Sequence, residues 1–359
     1  MRPMKTGLLL VAVLFTGLLQ AQFTIGGRVV DAQSGVALEG ASVFAQATSV
    51  GTTTSKEGRF ELSLPKGGYE IVVSFTGYQT SRITRSENKQ DLTVQLQPVD
   101  KSMEAVVITA SNEVADGWEK HGAMFLQEFI GTTPLADSCT LLNPEALKFY
   151  YYKRTDRVKV LATAPLHISN QSLGYNLTYT LDSFVHYNKT GISTYQGAAL
   201  YTSMQAASNQ EQQRWNSARE AAYKGSRLQF VRSYYNGTLK EDGFTVDMLS
   251  RTDKNKFNRL TNPYDTLYYA VDSTDEPELW FEDKISISYY KKTPDPRYLK
   301  DANLPPDVKL QISYVTLLDP VVLKENGFFT PQRAWVNGGY WSWKNVADAL
   351  PYDYYPNER

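Results

Sequence analysis

Cysteine is almost missing. The 359-residue chain holds one, Cys139, so it can form no internal disulfide and no zinc site built on thiolates. Histidine is nearly as scarce, with only His121, His167 and His186. No excess charge of either sign exists: 37 Lys and Arg face 38 Asp and Glu, a formal net charge of −1. Without a basic block, binding to nucleic acid by phosphate neutralisation is excluded, and no nucleic-acid partner is expected. From Gln22 onward no apolar run is long enough for a transmembrane helix. What the chain does have is tyrosine, 24 against 15 Phe, with aromatics at 13%. That profile suits β-strands with one wet face. A hydrophobic content of 42% against 21% charged residues fits a packed globular protein.

Residues 1–21 read as a secretory signal peptide. Arg2 and Lys5 precede the uncharged run Gly7 to Leu19, which is too short to span a bilayer comfortably. Gln20-Ala21 then offers a small residue for cleavage, and no cysteine stands nearby to be lipidated. The expected location is therefore outside the cytoplasm: periplasmic, outer-membrane associated or at the cell surface.

Residues 22–98 show short strand-like runs with turn chemistry between them. The runs are Phe23–Val30, Ala41–Ala45, Gly51–Thr54, Arg59–Leu64, Tyr69–Phe75, Tyr78–Ile83 and Asp91–Leu96. Period-two alternation puts Phe60, Leu62 and Leu64 on one face, and likewise Tyr69, Ile71, Val73 and Phe75. Glu61, Ser63, Glu70 and Ser74 would face water. Gly35, Gly58 and Gly68 fall where a positive φ or tight turn is expected. Seven short strands without a helical pattern predict an antiparallel β-sandwich.

The spaced residues carry a resemblance. Ile25-Gly26-Gly27-Arg28-Val29-Val30-Asp31, Leu38-Glu39-Gly40-Ala41-Ser42-Val43, Gly58-Arg59-Phe60, Leu64-Pro65-Lys66-Gly67-Gly68-Tyr69 and Ser74-Phe75-Thr76-Gly77-Tyr78 resemble the carboxypeptidase-like regulatory domain. That family is a transthyretin-like sandwich, common at the N-terminus of secreted and outer-membrane proteins of Gram-negative bacteria. The resemblance implies an accessory module with no catalytic residues of its own. Residues 99–115 read as a linker or connecting strand. Within them Glu104-Ala105-Val106-Val107-Ile108-Thr109 resembles the stretch that leads into the plug of TonB-dependent transporters. The remaining length is too short for a plug and a barrel of about 22 strands, so an ordinary strand is the favoured reading.

Residues 116–359 are expected to form a larger α+β domain, which makes the whole chain mainly β. Helices are predicted from Asp116-Gly117-Trp118-Glu119 to Gly131, with Glu119 reaching back to cap, over Asn209–Tyr223 and Arg227–Tyr235, and over Asn345–Leu350. Strands are predicted over Leu147–Lys153, Arg157–Ala162, Tyr175–His186, Ile192–Tyr201, Phe244–Leu249, Leu267–Val271, Leu279–Tyr290, Val308–Val315 and Gln332–Trp343. A small outer-membrane barrel is disfavoured by the charged helical stretch with Glu211, Arg214, Arg219 and Glu220. Phe129-Ile130-Gly131, Asn143-Pro144-Glu145-Ala146-Leu147, Leu173-Gly174-Tyr175 and Ala222-Tyr223-Lys224-Gly225-Ser226 resemble the region after the same sandwich in uncharacterised secreted bacterial proteins. This implies the domain pairing and the compartment, and no reaction.

Catalytic patterns are sparse. Three residues after the histidines stand Met124, Asn170 and Lys189, so no His-x-x-Glu zinc pair exists. Neither a Gly-x-Ser-x-Gly elbow nor a phosphate or dinucleotide loop occurs, and Ser86 to Lys89 matches Ser-x-x-Lys only in a polar loop. No cofactor, metal or catalytic residue is assigned. Cys139 with His167 or His186 as base would make a nucleophile, but an isolated small core residue is the favoured reading. His121 reads as a core histidine. Asp272 with Asp275-Glu276, and Glu282-Asp283, are paired acids of the kind glycoside hydrolysis uses, yet solvated turns are the simpler reading. The most suggestive cluster is Trp335, Tyr340, Trp341 and Trp343, followed by Tyr352, Tyr354 and Tyr355; the first four are the candidate contact residues, rings able to contact a glycan or a protein partner. Rings tucked into a core are the favoured alternative there, because Trp341 and Trp343 share strand parity. The expectation is a non-enzymatic exported envelope protein that binds an outer-membrane protein or a glycan. The alternatives are a periplasmic hydrolase with an unrecognised site and a transporter-associated accessory protein.

Overall fold

A computed structural model describes residues 22–87, 89–99, 112–271 and 276–356. The signal peptide reading, the Glu104–Thr109 stretch, Asp272 and Asp275 lie outside them.

Seven strands build the N-terminal region: β1 (Gln22–Asp31), β2 (Ser42–Ala45), β3 (Gly51–Thr53), β4 (Arg59–Pro65), β5 (Tyr69–Ser74), β6 (Ser81–Arg85) and β7 (Lys89–Leu96). They form two sheets, ordered β4-β1-β7 and β3-β2-β5-β6. Alternation sets the buried face as expected. Phe60, Leu62 and Leu64 of β4 point inward, and Arg59, Glu61 and Ser63 point out. With Ile25, Val29, Ile71, Val73, Val94 and Leu96 they make one core. One pairing departs from the all-antiparallel expectation. β1 runs antiparallel to β4 but parallel to β7, with Val29 opposite Val94. After β6 the chain crosses to the other sheet instead of returning as a hairpin. Alternation tells which face is buried, not which neighbour a strand takes.

The second departure is on β5. Val72, on the face expected to meet water, is buried beside Phe44, Ala198 and Leu200. Ala198 and Leu200 belong to the larger region, so this face of the sandwich is covered by protein. Gly35 and Gly58 take the positive φ expected of them, but Gly68 does not; Gly67 does. Gly68 is needed for close approach: a Cβ there would stand 2.4 Å from Cγ of Lys324.

The larger region begins with helix α1 (Gly117–Phe129). Its expected cap is not made: Asp116 forms no side-chain capping bond and pairs instead with Lys120 at 3.4 Å. Six strands follow: β8 (Cys139–Leu141), β9 (Leu147–Tyr152), β10 (Arg157–Ala162), β11 (Leu166–Asn170), β12 (Tyr175–Tyr187) and β13 (Ile192–Ser203). The long β12 pairs with β13 on one side and with β11 and then β10 on the other. Phe125 and Phe129 of α1 pack into this sheet with Phe149, Leu177 and Phe184.

Helices α2 (Asn209–Tyr223) and α3 (Arg227–Tyr235) fall where the 3.6-residue pattern predicts them, each capped by a serine, Ser208 and Ser226. A short α4 (Leu239–Asp242) precedes β14 (Phe244–Leu249), β15 (Phe257–Arg259), β16 (Tyr269–Val271), β17 (Pro277–Leu279) and β18 (Ile285–Tyr289). Then come α5 (Pro296–Asp301), β19 (Gln311–Leu317), β20 (Val321–Leu323), β21 (Phe329–Thr330), β22 (Trp335–Gly339) and α6 (Tyr340–Trp343). One sheet is ordered β15-β14-β18-β19-β22 and another β16-β17-β20-β21. Both pack around Phe230, Val231 and Tyr234 of α3.

Three expectations are corrected here. The run Leu279–Tyr290 is two strands in different sheets, because the acidic turn between them breaks the pairing. The strand expected over Gln332–Trp343 stops at Gly339 and becomes a helical turn. The helix expected over Asn345–Leu350 shrinks to one 3₁₀ turn, Val346–Asp348. Residues 116–359 thus build two hydrophobic cores, one on α1 and β8–β13 and one on α3 and β14–β22.

The sandwich is docked onto both. In the β2–β3 turn, Ala47 N donates to Ala199 O at 2.7 Å, and Thr48 O accepts from Tyr201 N at 2.9 Å. That turn therefore continues the β12–β13 sheet by one parallel bridge, Thr48 to Leu200. The fully buried Asn326 donates from Nδ2 to Gly68 O at 2.9 Å and accepts from Gly68 N at 3.2 Å. Arg232, only 4% exposed, donates to Asn326 O, Tyr354 O and Tyr352 O. The C-terminal segment completes the tie, with Tyr352 N donating to Ala47 O at 2.6 Å.

Candidate functional site

Of the four candidate aromatic residues, three are core. Trp335 is 6% exposed and packs on Phe329 with ring centres 4.9 Å apart. Trp341 is 5% exposed and donates from Nε1 to Gly225 O at 2.8 Å. Tyr340 is 3% exposed, and its hydroxyl accepts from Asp295 N at 3.3 Å. Trp343 is different. It is half-buried and stands at the edge of an open groove. Strand parity misplaced it: a helical turn, not a strand, carries Tyr340 to Trp343, so Trp341 and Trp343 point in different directions.

Three chain segments meet at Trp343. The first is the end of α1. Gly131 there takes φ 110°, a conformation that lets the chain leave the helix and bring Thr132 and Thr133 across. The second is α5, started by Asp295, whose side chain accepts from Arg297 N at 2.8 Å, with Pro296 in the first turn. The third is α6 and the residues after it. The indole Nε1 of Trp343 donates to Thr132 Oγ1 and to Asp301 Oδ2, both at 3.1 Å. Tyr298 and Tyr340 back the indole at 5.6 and 5.8 Å between ring centres. Arg297 holds both oxygens of Asp137, at 2.9 and 2.6 Å, which keeps that carboxyl below its ordinary range. The groove has a volume of about 660 Å³. Thr132, Arg297 and Asp301 were not legible as site residues. Asp295-Pro296 was the available signal, a capped helix start that places α5.

Behind the groove lies a desolvated charge cluster. Thr133 Oγ1 donates to Asp348 Oδ2 at 2.7 Å, and burial pushes the Asp348 carboxyl up. Burial pulls the Lys344 amine down to about 8, partly offset by Asp348. Its ammonium stands 5.0 Å over the Tyr340 ring. Lys292 is also lowered by desolvation, and donates to Ala221 O at 3.0 Å.

The other candidates are scattered. Cys139 pairs on β8 with Asn170 of β11, and burial drives its thiol up to about 12, a poor nucleophile. His121 stacks on Phe149 at 6.1 Å, lowered by burial. His167 is exposed on β11, and His186 shares a hydrogen bond of 2.8 Å with Ser193. Glu282 and Asp283 are both held by Arg251, and Glu276 by Lys324. Among the described residues no group of three or more His, Cys, Asp or Glu could hold a metal ion. No helix among them is long and apolar enough to cross a membrane.

Comparison with known proteins speaks to the sandwich. Residues 25–108 match the family model of the CarboxypepD_reg-like domain. Over those residues the chain is similar to that family. The remainder of the chain lies outside that match. No curated protein matches the chain. Among solved structures, a Streptococcal ancillary pilin aligns over 22% of this chain and 30% of its own length, at 19% identity and a TM-score of 0.19. The chain thus spans about a third of that pilin. A DUF3823 family protein from Bacteroides ovatus aligns over 52% of this chain and 83% of its own, at 10% identity and a TM-score of 0.19. Another, from Parabacteroides merdae, aligns over 50% and 80%, at 9% identity and a TM-score of 0.17.

Proposed function

We propose that this is a non-enzymatic exported envelope protein that works by binding, periplasmic or outer-membrane associated, with a glycan or an outer-membrane protein as its partner. In this reading residues 1–21 are a cleaved leader, 22–98 an accessory sandwich, 99–115 the connection and 116–359 the binding part. The observation that carries it is Trp343. It is the one candidate ring left at the surface, and two hydrogen bonds hold it fixed beside an open groove. A rigid aromatic anchor in a polar surround is what a binding hot spot requires. Three of the described groups that hydrolysis could use are not poised for it. Glu282 and Asp283 are paired with Arg251, and the Cys139 thiol is held protonated.

Sedimentation of the purified chain with an outer-membrane fraction tests this reading. Trp343→Ala is expected to lose most of the retained protein, while Tyr187→Ala, at an exposed position elsewhere, keeps it. Equal retention of both variants contradicts the reading. So does turnover of a peptide or glycan panel that Cys139→Ser abolishes.

A further inference from the structure

We propose that the groove at Trp343 takes a neutral oligosaccharide of a few sugar units. This rests on the binding function proposed above and names the ligand class of the same site. The indole is pre-positioned. Its N–H is already bound to Thr132 and Asp301, so what Trp343 adds to the groove lining is ring carbon and not a free polar edge. A flat, fixed ring face suits the C–H face of a pyranose.

Charge excludes the competing ligands. Glu128 and Asp301 balance Arg297 and Lys300 in the groove wall. The guanidinium of Arg297 is neutralised by both oxygens of Asp137, so it is not poised for a phosphate or carboxylate. Trp343 is the one large apolar side chain lining the groove, too little for an amphipathic helix, which needs several anchors along a face. What remains for a ligand are the amide oxygen of Gln127, whose nitrogen donates to Glu128, and the amide nitrogen of Asn345, whose oxygen accepts from Tyr195: one acceptor and one donor, as a sugar hydroxyl requires. The groove lies across the seam between the two cores, with Gln127 on α1 and Trp343 on α6. Its volume of about 660 Å³ falls within the size of ordinary small-ligand sites.

Calorimetric titration of the purified chain with cellohexaose, maltohexaose, mannohexaose and hexagalacturonate tests the inference. At least one neutral sugar is expected to bind, with affinity unchanged on raising salt to about 0.5 M. Trp343→Ala is expected to weaken it by about tenfold or more, and Trp343→Phe to keep most of it. Gln127→Ala, on the exposed side of α1, is expected to weaken it by about threefold and serves if Trp343→Ala does not fold. Three results overturn the inference: no neutral sugar binding, preference for hexagalacturonate with loss in salt, or binding indifferent to Trp343 and Gln127. If none of the sugars binds while outer-membrane retention still depends on Trp343, the ligand class is wrong and the binding function stands. If retention itself ignores Trp343, both fall.

Discussion

The sandwich and the larger region solve the same problem at different ranges in sequence. In the sandwich every partner strand lies within residues 22–96, and one core draws on six of the seven strands. In the larger region two cores are closed by residues brought from far along the chain. Val346 and Ala347 complete the core of α1 and β8–β13, more than a hundred residues after β13. Trp341 completes the other and reaches back to Gly225. The lesson is that local alternation builds the first region, while long-range caps build the second. The sandwich is then bound to both by backbone and side-chain hydrogen bonds and by a small apolar patch, Phe44 and Val72 against Ala198 and Leu200.

That contrast can be broken at several points. The largest effect is expected from Trp341→Ala, which empties a core position and orphans Gly225 O. We expect a loss of about 3–5 kcal/mol in urea unfolding, with the sandwich less affected than the larger region. Arg232→Met comes next. It removes three charge-assisted bonds, two that tie the C-terminal segment to α3 and one to Asn326 O, at a cost of about 2–3 kcal/mol by the same measurement. Asn326→Ala, which leaves both backbone groups of Gly68 unpaired, is expected to cost about 1–3 kcal/mol and to speed proteolysis between the sandwich and the rest.

The two regions should also respond to opposite ends of the pH scale. In the sandwich, Asp31 accepts from Gln33 N, Ser34 N and the Ser34 and Tyr78 hydroxyls, which lowers its carboxyl to about 2. The backbone bond from Ser34 is the largest cause. Its stabilisation is present above the unfolded value of 3.8 and is lost as pH falls toward 2. Asp31→Asn should flatten that acid dependence. In the larger region, Lys344 is lowered to about 8 from 10.5 by burial. Between those values the folded chain holds fewer protons at Lys344 than the unfolded one, so this group makes stability rise with pH there. Buried tyrosines such as Tyr340 are raised by desolvation and reverse the slope above pH 10. Lys344→Met should lessen the rise above about pH 8, with Lys292 supplying what is left, read by urea midpoints across that range. The smallest stability effect is expected at Trp343, where Ala should cost about 1 kcal/mol or less, because the ring is not in a core.

Legibility follows the same division. The seven strands of the sandwich were readable because Phe60, Leu62 and Leu64 alternate over a few residues. α2 was readable because Trp215, Ala218, Arg219 and Ala222 line one side at helical spacing. The face of Val72 was misread, since its cover, Ala198 and Leu200, belongs to a strand more than a hundred residues on. The aromatic cluster was visible, but its division into three core rings and one surface ring was not. That division depends on Gly339 ending a strand and on α5 arriving from another part of the chain. The groove itself joins Gln127, Arg297 and Trp343, which no spacing rule connects.

The most direct measurement is hydrogen–deuterium exchange of the full chain with and without the outer-membrane fraction. The account expects slowed exchange in three stretches, 127–132, 297–301 and 342–345, and no change in the sandwich strands β1, β4 and β7. Protection confined to the sandwich, or absent from those three stretches, would contradict it.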